Sequence, residues 1–458
     1  MAVTAAKPIT AFRVLTMAVN LSRLTTGTMD SNDGHEKTSK ASIILQFNQL
    51  EASPLKGGNM QMQLPFPGVA ISESWLTLPA AQDTAVPVFA GFISSIPIGV
   101  LYEVYSYEQF SLWAKENDWE EGTVLPYALR LYFDNGGRRC FVLSLGSLGN
   151  GEILKALTAP EAWQAVKQQK DITLLSVPDS VLLDDNNHVE WLGYWQHLLE
   201  LAQECRAHAL LDAPSSPTST QLCLEMFSGL NAECGSVYWP RLKSAYQYHQ
   251  PEGRLYNNKG RLDAVFLPPS AVVAAVVGKV DRDKGVWSAP ANVPLYKIIQ
   301  PEYTARQGSG LFQCHGRSIN LIRSFPLRGC RIWGCRTLSS EVEYDWRQYI
   351  QTRRTLLYIQ QSLVQLCHFS VFEPNTQITW LKMKGLSLSW LNELWLKGGL
   401  MGRQEQEAFY VNIGLGESMT AHEVAQGQLS MEVGVALHCP AEFITLRLQF
   451  AIQQEKRG

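Results

Sequence analysis

The residues in this chain best suited to chemistry are three glycines, Gly146, Gly149 and Gly151, between an apolar run at Cys140 to Leu145 and a helical pattern. A strand, a glycine turn and a helix N-terminus can cradle phosphate, because the turn's free N–H groups point at the anion. The order here is G-x-x-G-x-G, not the dinucleotide-binding G-x-G-x-x-G, and Asp171 and Asp179 stand on the wrong sides of the next strand to serve a ribose. No P-loop sequence occurs, and neither G-x-S-x-G nor H-E-x-x-H is present. Cys314-His315, Cys330 and Cys335 are metal-ligand types, but they miss the short C-x₂₋₄-C spacing of structural zinc sites and read as buried thiols. No catalytic, metal or cofactor residue is assigned. A nucleotide-binding α/β enzyme using the Gly146–Gly151 loop stands as the alternative reading.

Charge says more. The 458 residues carry 39 Lys plus Arg against 42 Asp plus Glu, a net charge of −3 that argues against a nucleic-acid binder. Residues 296–458 carry 17 basic and 13 acidic side chains, so the first 295 hold a net −7. Between Glu302 and Glu341 lie Arg306, Arg317, Arg323, Arg328, Arg331 and Arg336 with no acid, which suits an acidic partner surface. Only 18% of residues are charged and 13 are Trp, so surface is expected to be reserved for partners. Nine scattered cysteines fit reduced thiols, and no apolar run reaches the length of a membrane span.

The elements that must position these residues alternate. Thr84 to Phe92 reads as a first buried strand, Leu125 to Phe133 as a helix, Cys140 to Leu145 as a strand and Pro160 to Gln169 as a helix. Ile172 to Val177, Glu190 to Cys205 and His208 to Leu211 continue as strand, helix and strand. This alternation predicts an α/β domain with a substantially parallel sheet. After a helix opened by Pro268, the pattern changes. Short strands near Ile319 to Ile322 and Ile332 to Cys335 precede a long helix from about Glu341 to Cys367, with Ser340 and Glu343 placed as a capping box. A helix at Leu388 to Lys397 and strands at Phe409 to Ile413 and Leu429 to Leu437 follow.

Two short strands stand at the ends. Val69, Ile71 and Trp75 share one face after the Pro67-Gly68 break. In Phe443 to Phe450, Ile444, Leu446, Leu448 and Phe450 alternate with Thr445, Arg447 and Gln449. Such a strand is either an intramolecular edge strand or one donated to a neighbour. The first 29 residues lack acids and faintly resemble a transit peptide, but read more simply as a leader.

These residues resemble the contractile-tail sheath proteins of phages, pyocin-like particles and extracellular contractile injection systems. The resemblance is carried by Pro67-Gly68-Val69 through Glu73, Thr84-Ala85-Val86-Pro87-Val88-Phe89 and Tyr132-Phe133-Asp134-Asn135-Gly136-Gly137. Pro268-Pro269-Ser270 through Asn292, Asn320 through Arg323-Ser324-Phe325-Pro326 to Leu338, Phe372-Glu373-Pro374-Asn375 and the final strand add to it. It covers residues 67–458. It implies an outer α/β domain, 86–295, set before a C-terminal α+β sheath domain, 296–458, with extended terminal arms that exchange strands between subunits. Val69, Ala70, Ile71, Ser72 and Glu73, with a linker to residue 85, form one donor. Phe443, Ile444, Thr445, Leu446, Arg447, Leu448, Gln449 and Phe450 form the other. Residues 1–66 depart from the pattern: they are an added arm, or translation starts at Met60 or Met62. The implied function is a non-enzymatic subunit that polymerises helically around an inner tube and contracts to drive it into a target cell. An adaptor of another multimeric scaffold is a further reading. Implied partners are the chain itself, paralogous sheath subunits, the inner tube protein, and baseplate and cap components, with no nucleic acid and no membrane insertion. Assembly in a bacterial cytoplasm and release in a tail-like particle follow. Arg353, Arg354, Lys382, Lys384 and Lys397 are the expected tube-facing residues.

Overall fold

The structure, a computed structural model, describes residues 11–18, 70–77, 83–115, 123–148, 153–247, 264–304, 313–314, 316–340 and 346–451. The chain divides into two compact units, Met1–Ala80 and Ala81–Gly458. In the first, β1 (Ala11–Ala18) and β2 (Ala70–Thr77) pair antiparallel, with Ala11 opposite Thr77 and Ala18 opposite Ala70. Val69 lies outside the described residues.

The second unit opens with β3 (Pro87–Gly91), β4 (Leu101–Val104), α1 (Tyr107–Lys115), α2 (Leu125–Asp134) and β5 (Cys140–Ser144). Next come α3 (Ile153–Thr158), α4 (Pro160–Gln168), β6 (Leu174–Ser176), α5 (His188–Cys205), β7 (His208–Asp212), α6 (Pro217–Met226) and β8 (Gly235–Trp239). Proline stands in the first turn of α2, α4 and α6, where its missing N–H leaves no bond unmade. The side chain of Asn187 caps α5 by accepting from the Glu190 N–H. The unit continues with β9 (Leu242–Gln247), β10 (Ala264–Leu267), α7 (Ser270–Lys284), β11 (Ile298–Pro301), β12 (Gln313–Cys314), β13 (Arg317–Ser318), β14 (Asn320–Phe325) and β15 (Gly329–Trp333). It closes with α8 (Ile350–Leu366), α9 (Gln377–Leu396), α10 (Glu405–Ala408), β16 (Phe409–Asn412), α11 (Ala421–Ala425), β17 (Gln428–Val435) and β18 (Ile444–Ala451).

Eight strands form one sheet in the order β15-β14-β8-β7-β6-β3-β5-β4. The inner six, from β14 to β5, run parallel, while β4 and β15 are antiparallel additions at the two edges. Helices cover both faces, as parallel strands require. On one face Val88, Leu143, Leu175, Leu211 and Val237 pack against Trp163 of α4 and Trp191, Trp195 and Leu198 of α5. On the other, Phe89, Val142, Leu174 and Leu210 meet Leu125 and Leu129 of α2 and the apolar run Ala271–Val277 of α7. Asp179, fully buried, accepts from the N–H groups of Phe92, Val124 and Leu125 and so fixes the end of β3 to the start of α2. A smaller three-stranded sheet, β16-β17-β18, packs against α8 and α9, with Ser387 of α9 close to Met431 of β17.

Four expectations change. The boundary at 295/296 cuts through the eight-stranded sheet, because β14 and β15 join it after a long crossover. The long helix starts at Ile350, and Glu343 of the expected capping box lies outside the described residues. The helix expected at Leu388 begins at Gln377. Four tryptophans are core: Trp163, Trp191, Trp195 and Trp239 are buried, with indole N–H groups donating to the carbonyls of Leu157, Asp184, Asp212 and Ser215. Among the described tryptophans six more, including Trp380, Trp390 and Trp395 of α9, are half-buried and only Trp333 is exposed, so part of the aromatic content fills this wide sheet's interior and part lies at the surface.

Candidate assembly interface

β18 pairs with β17 over eight positions, from Ile444 opposite Val435 to Ala451 opposite Gln428. The alternation expected from sequence holds: Leu448 and Phe450 are buried, Ile444 and Leu446 half-buried, and Thr445, Arg447 and Gln449 exposed. Its inward residues lie opposite Leu429, Met431, Val433 and Val435 of β17, all fully buried. In this chain the strand is intramolecular, and among the described residues no strand pairs with its outer edge. An eight-residue edge with unpaired N–H and C=O groups is a template for another strand.

The segment that leads into β3 is anchored by a buried ion pair. Arg354 of α8 grips Asp281 of α7 in a two-pronged contact, at 2.9 Å to Oδ1 and 2.6 Å to Oδ2, with side chains only 3% and 4% exposed. The same guanidinium donates to the Thr84 carbonyl at 2.9 Å, and the Thr84 hydroxyl donates to Asp281. Arg353, half-buried, donates to Gln203 of α5 at 3.0 Å. The Arg354 guanidinium is taken up inside the subunit and is not free for a tube, while Arg353 stays half-exposed beside α5; both tie α8 to the larger sheet's layers.

The three lysines are placed differently. Lys382, Lys384 and Lys397 sit on or just after α9 with side chains 43%, 33% and 60% exposed, paired with Glu373, Glu417 and Glu393 respectively. The outward face of α9 also carries Ile378, Leu381 and Leu396, all strongly exposed, and Gly385, beside which a Cβ would meet nothing. Sequence reasoning found the cations but missed this apolar stripe.

The glycine loop does not form a phosphate cradle from its first member. Gly146 has φ +76°, its N–H donates to the Ser144 hydroxyl at 3.1 Å, and its carbonyl accepts from Ile93 at 2.9 Å. Gly149 and Gly151 lie outside the described residues. An open crevice of about 890 Å³ does lie beyond β3 and β5, where the strand order reverses, lined by Ser94, Ser95, Ser147, Lys155 and Glu161 among others. The helix that follows, α3, has only six residues. Cys330 is buried and Cys314 and Cys335 half-buried, while His315 lies outside the described residues. Among the described residues no three His, Cys, Asp or Glu side chains group as metal ligands, and no helix is long and apolar enough to cross a membrane.

Comparison with solved structures decides what this scaffold is. A chain of the anti-feeding prophage (AFP) baseplate in its contracted state is 33% identical, with a TM-score of 0.69, and the match covers 86% of this chain and 100% of that one. This chain belongs to the contractile tail sheath family. The sheath complex of the PVC extracellular contractile injection system, also contracted, is 28% identical with a TM-score of 0.62, covering 87% of this chain and 99% of that one. A sheath tail protein from Desulfitobacterium hafniense shares the fold at 9% identity and a TM-score of 0.52, covering 83% of this chain and 99% of that one. No protein-family profile and no curated protein sequence matches the chain. The role of this family member is that of a sheath subunit.

Proposed function

We propose that this sheath protein is a structural, non-enzymatic subunit that polymerises helically and head to tail around an inner tube, and that contraction of the polymer drives the tube into a target cell. The observation that carries this reading is the β18 edge, an alternating eight-residue strand at the margin of a small sheet in a chain 33% identical to a contractile-particle subunit. β2, with Ala70 to Glu73, and β18, with Phe443 to Phe450 around it, are the two donors to neighbours' sheets. The β17–β18 pairing within the chain is then the form of the free subunit, and a neighbour's β18 takes the same register in the polymer. Main-chain bonds keep subunits linked while the larger α/β layers repack into a lower-energy lattice. Lys382, Lys384 and Lys397, beside the exposed apolar face of α9, grip the tube. Exposed ion pairs are worth about 1 kcal/mol or less each, which suits a contact that must release. Partners are further copies, paralogous sheath subunits, the tube protein, and baseplate and cap components. No nucleic acid and no membrane insertion is involved, and the subunit assembles in the bacterial cytoplasm before release in a tail-like particle.

Truncation before Phe443 tests this. The shortened chain is expected to stay soluble, keep the melting transition of the eight-stranded sheet and form no polymer by electron microscopy. Polymers from the truncated chain would overturn donation by β18.

A further inference from the structure

We infer that residues 11–18 act as a closing strand: β1 stays paired with β2 while the other edge of β2 joins the β18 edge of a second copy of this chain. The inference rests on the strand-exchange reading above and adds a fifth strand to it. β1 and β2 pair without a break over eight residues, yet they stand alone as a two-stranded sheet. A sheet of two strands is marginal in water, and here residues 19–69 separate the strands, so closure costs more entropy than a tight hairpin turn. Such a pair holds when a further strand completes it.

Two matching edges are open. The second edge of β2 and the outer edge of β18 have no strand partner among the described residues, and both strands are eight residues long. Within one chain they belong to separate sheets, so a second copy is the occupant that satisfies both. The joined sheet runs β16-β17 of the subunit that accepts β18, then the donated β18, then β2-β1. β1 then forms the outer edge and stops further strands from adding to β2. The sequence resemblance to the sheath family runs over residues 67–458, so β1 lies outside it and β2 within it.

Hydrogen exchange on the full-length chain, free and assembled, tests the inference. Peptides covering 11–18 and 70–77 are expected to slow together on assembly, by about tenfold or more. The double variant Val14→Pro/Leu15→Pro removes two adjacent N–H donors, one of which must face the β1–β2 ladder. It should abolish the slowing at 11–18 and leave 70–77 slowed. If 70–77 slows in wild-type particles while 11–18 exchanges at the unpaired rate, the closing strand is wrong and strand exchange survives. If both segments are already slow in the free subunit, no second copy is needed and the inference fails. If 70–77 is unchanged by assembly, donation by β2 falls and takes this inference with it.

Discussion

In the eight-stranded sheet the outer edge of β15 is already occupied: the N–H groups of Asn292 and Leu295 donate to the carbonyls of Ile332 and Cys330, and Pro294 bridges Arg331. In the three-stranded sheet β18 lies at the margin over its whole length with no strand beyond it among the described residues. The first sheet is buried on both faces by helices, its β15 edge is covered by residues 292–295, and its other edge is the four-residue β4. The second is backed by α8 and α9 and presents a long, regular edge. One region covers its β15 edge within the subunit, and the other leaves open the edge at which strand exchange is proposed. In the proposed polymer, the first would supply a rigid body to repack and the second a main-chain link that survives the repacking.

The largest effect that could blur this division lies at the Arg354–Asp281 pair, which ties α8, beneath the small sheet, to α7, beneath the large one. Arg354→Ala leaves Asp281 buried without its cation and is expected to cost about 3–5 kcal/mol by denaturant unfolding. A loss below about 1 kcal/mol would show that the two regions are not coupled through this contact. A glycine in each sheet separates them next. At Gly91 of β3 a Cβ would lie 2.6 Å from Asp179 Oδ2 and 2.7 Å from Leu125, both locked, so Gly91→Ala should cost about 1–3 kcal/mol in the main transition. At Gly434 of β17 the obstacle is the Tyr410 ring, a half-buried side chain that can swing aside. Gly434→Ala should leave the main melting transition in place and loosen only β16 to β18 by hydrogen exchange.

A further effect is one of pH, and it belongs to the large sheet alone. His208 and Asp212, at the two ends of β7, are both fully buried. Burial holds His208 down from 6.5 to about 3, aided by the charges of Arg354 and Arg353. Burial pushes Asp212 up from 3.8 to about 7, against the bonds it accepts from Ser270. At His208 the unfolded chain binds the extra proton, so that stability is lost as pH falls below 6.5. At Asp212 the folded chain binds it, so that stability is lost as pH rises from 3.8 through 7. Between about pH 4 and 6.5 the two slopes oppose and cancel. His208→Gln should therefore lose stability with rising pH across this range, and Asp212→Asn should gain it, each by up to about 1.4 kcal/mol per pH unit. Equal, flat profiles for the two variants would contradict the assignment.

What sequence could show followed from what each element buries. β18 was legible because its inner residues face a core and its outer ones face solvent, so burial prints a period of two. The α/β alternation was legible for a different reason: strands buried on both faces, such as β3, β5 and β7, read as short continuous apolar runs between helical patterns. The start of α9 was not, because its buried positions include Thr379 and Ser387, which break the apolar period that marks a helix. The 295/296 boundary failed because β14 and β15 reach the large sheet through a crossover that local pattern does not record. Arg353 and Arg354 read as surface cations because their partners, Gln203 and Asp281, are far away in sequence. The anchor at Thr84 left no signal in spacing at all.

The central claim, that β18 passes between subunits, is tested most directly by a disulfide across the β17–β18 ladder. Glu432 and Arg447 lie opposite each other in register, and neither is buried. The double variant Glu432→Cys/Arg447→Cys, assembled and then oxidised, is read on a denaturing gel without reductant beside each single variant. Donation predicts a ladder of covalently linked subunits that the single variants do not give. A band that stays at the monomer's mass, with the new thiols joined within one chain, would contradict it.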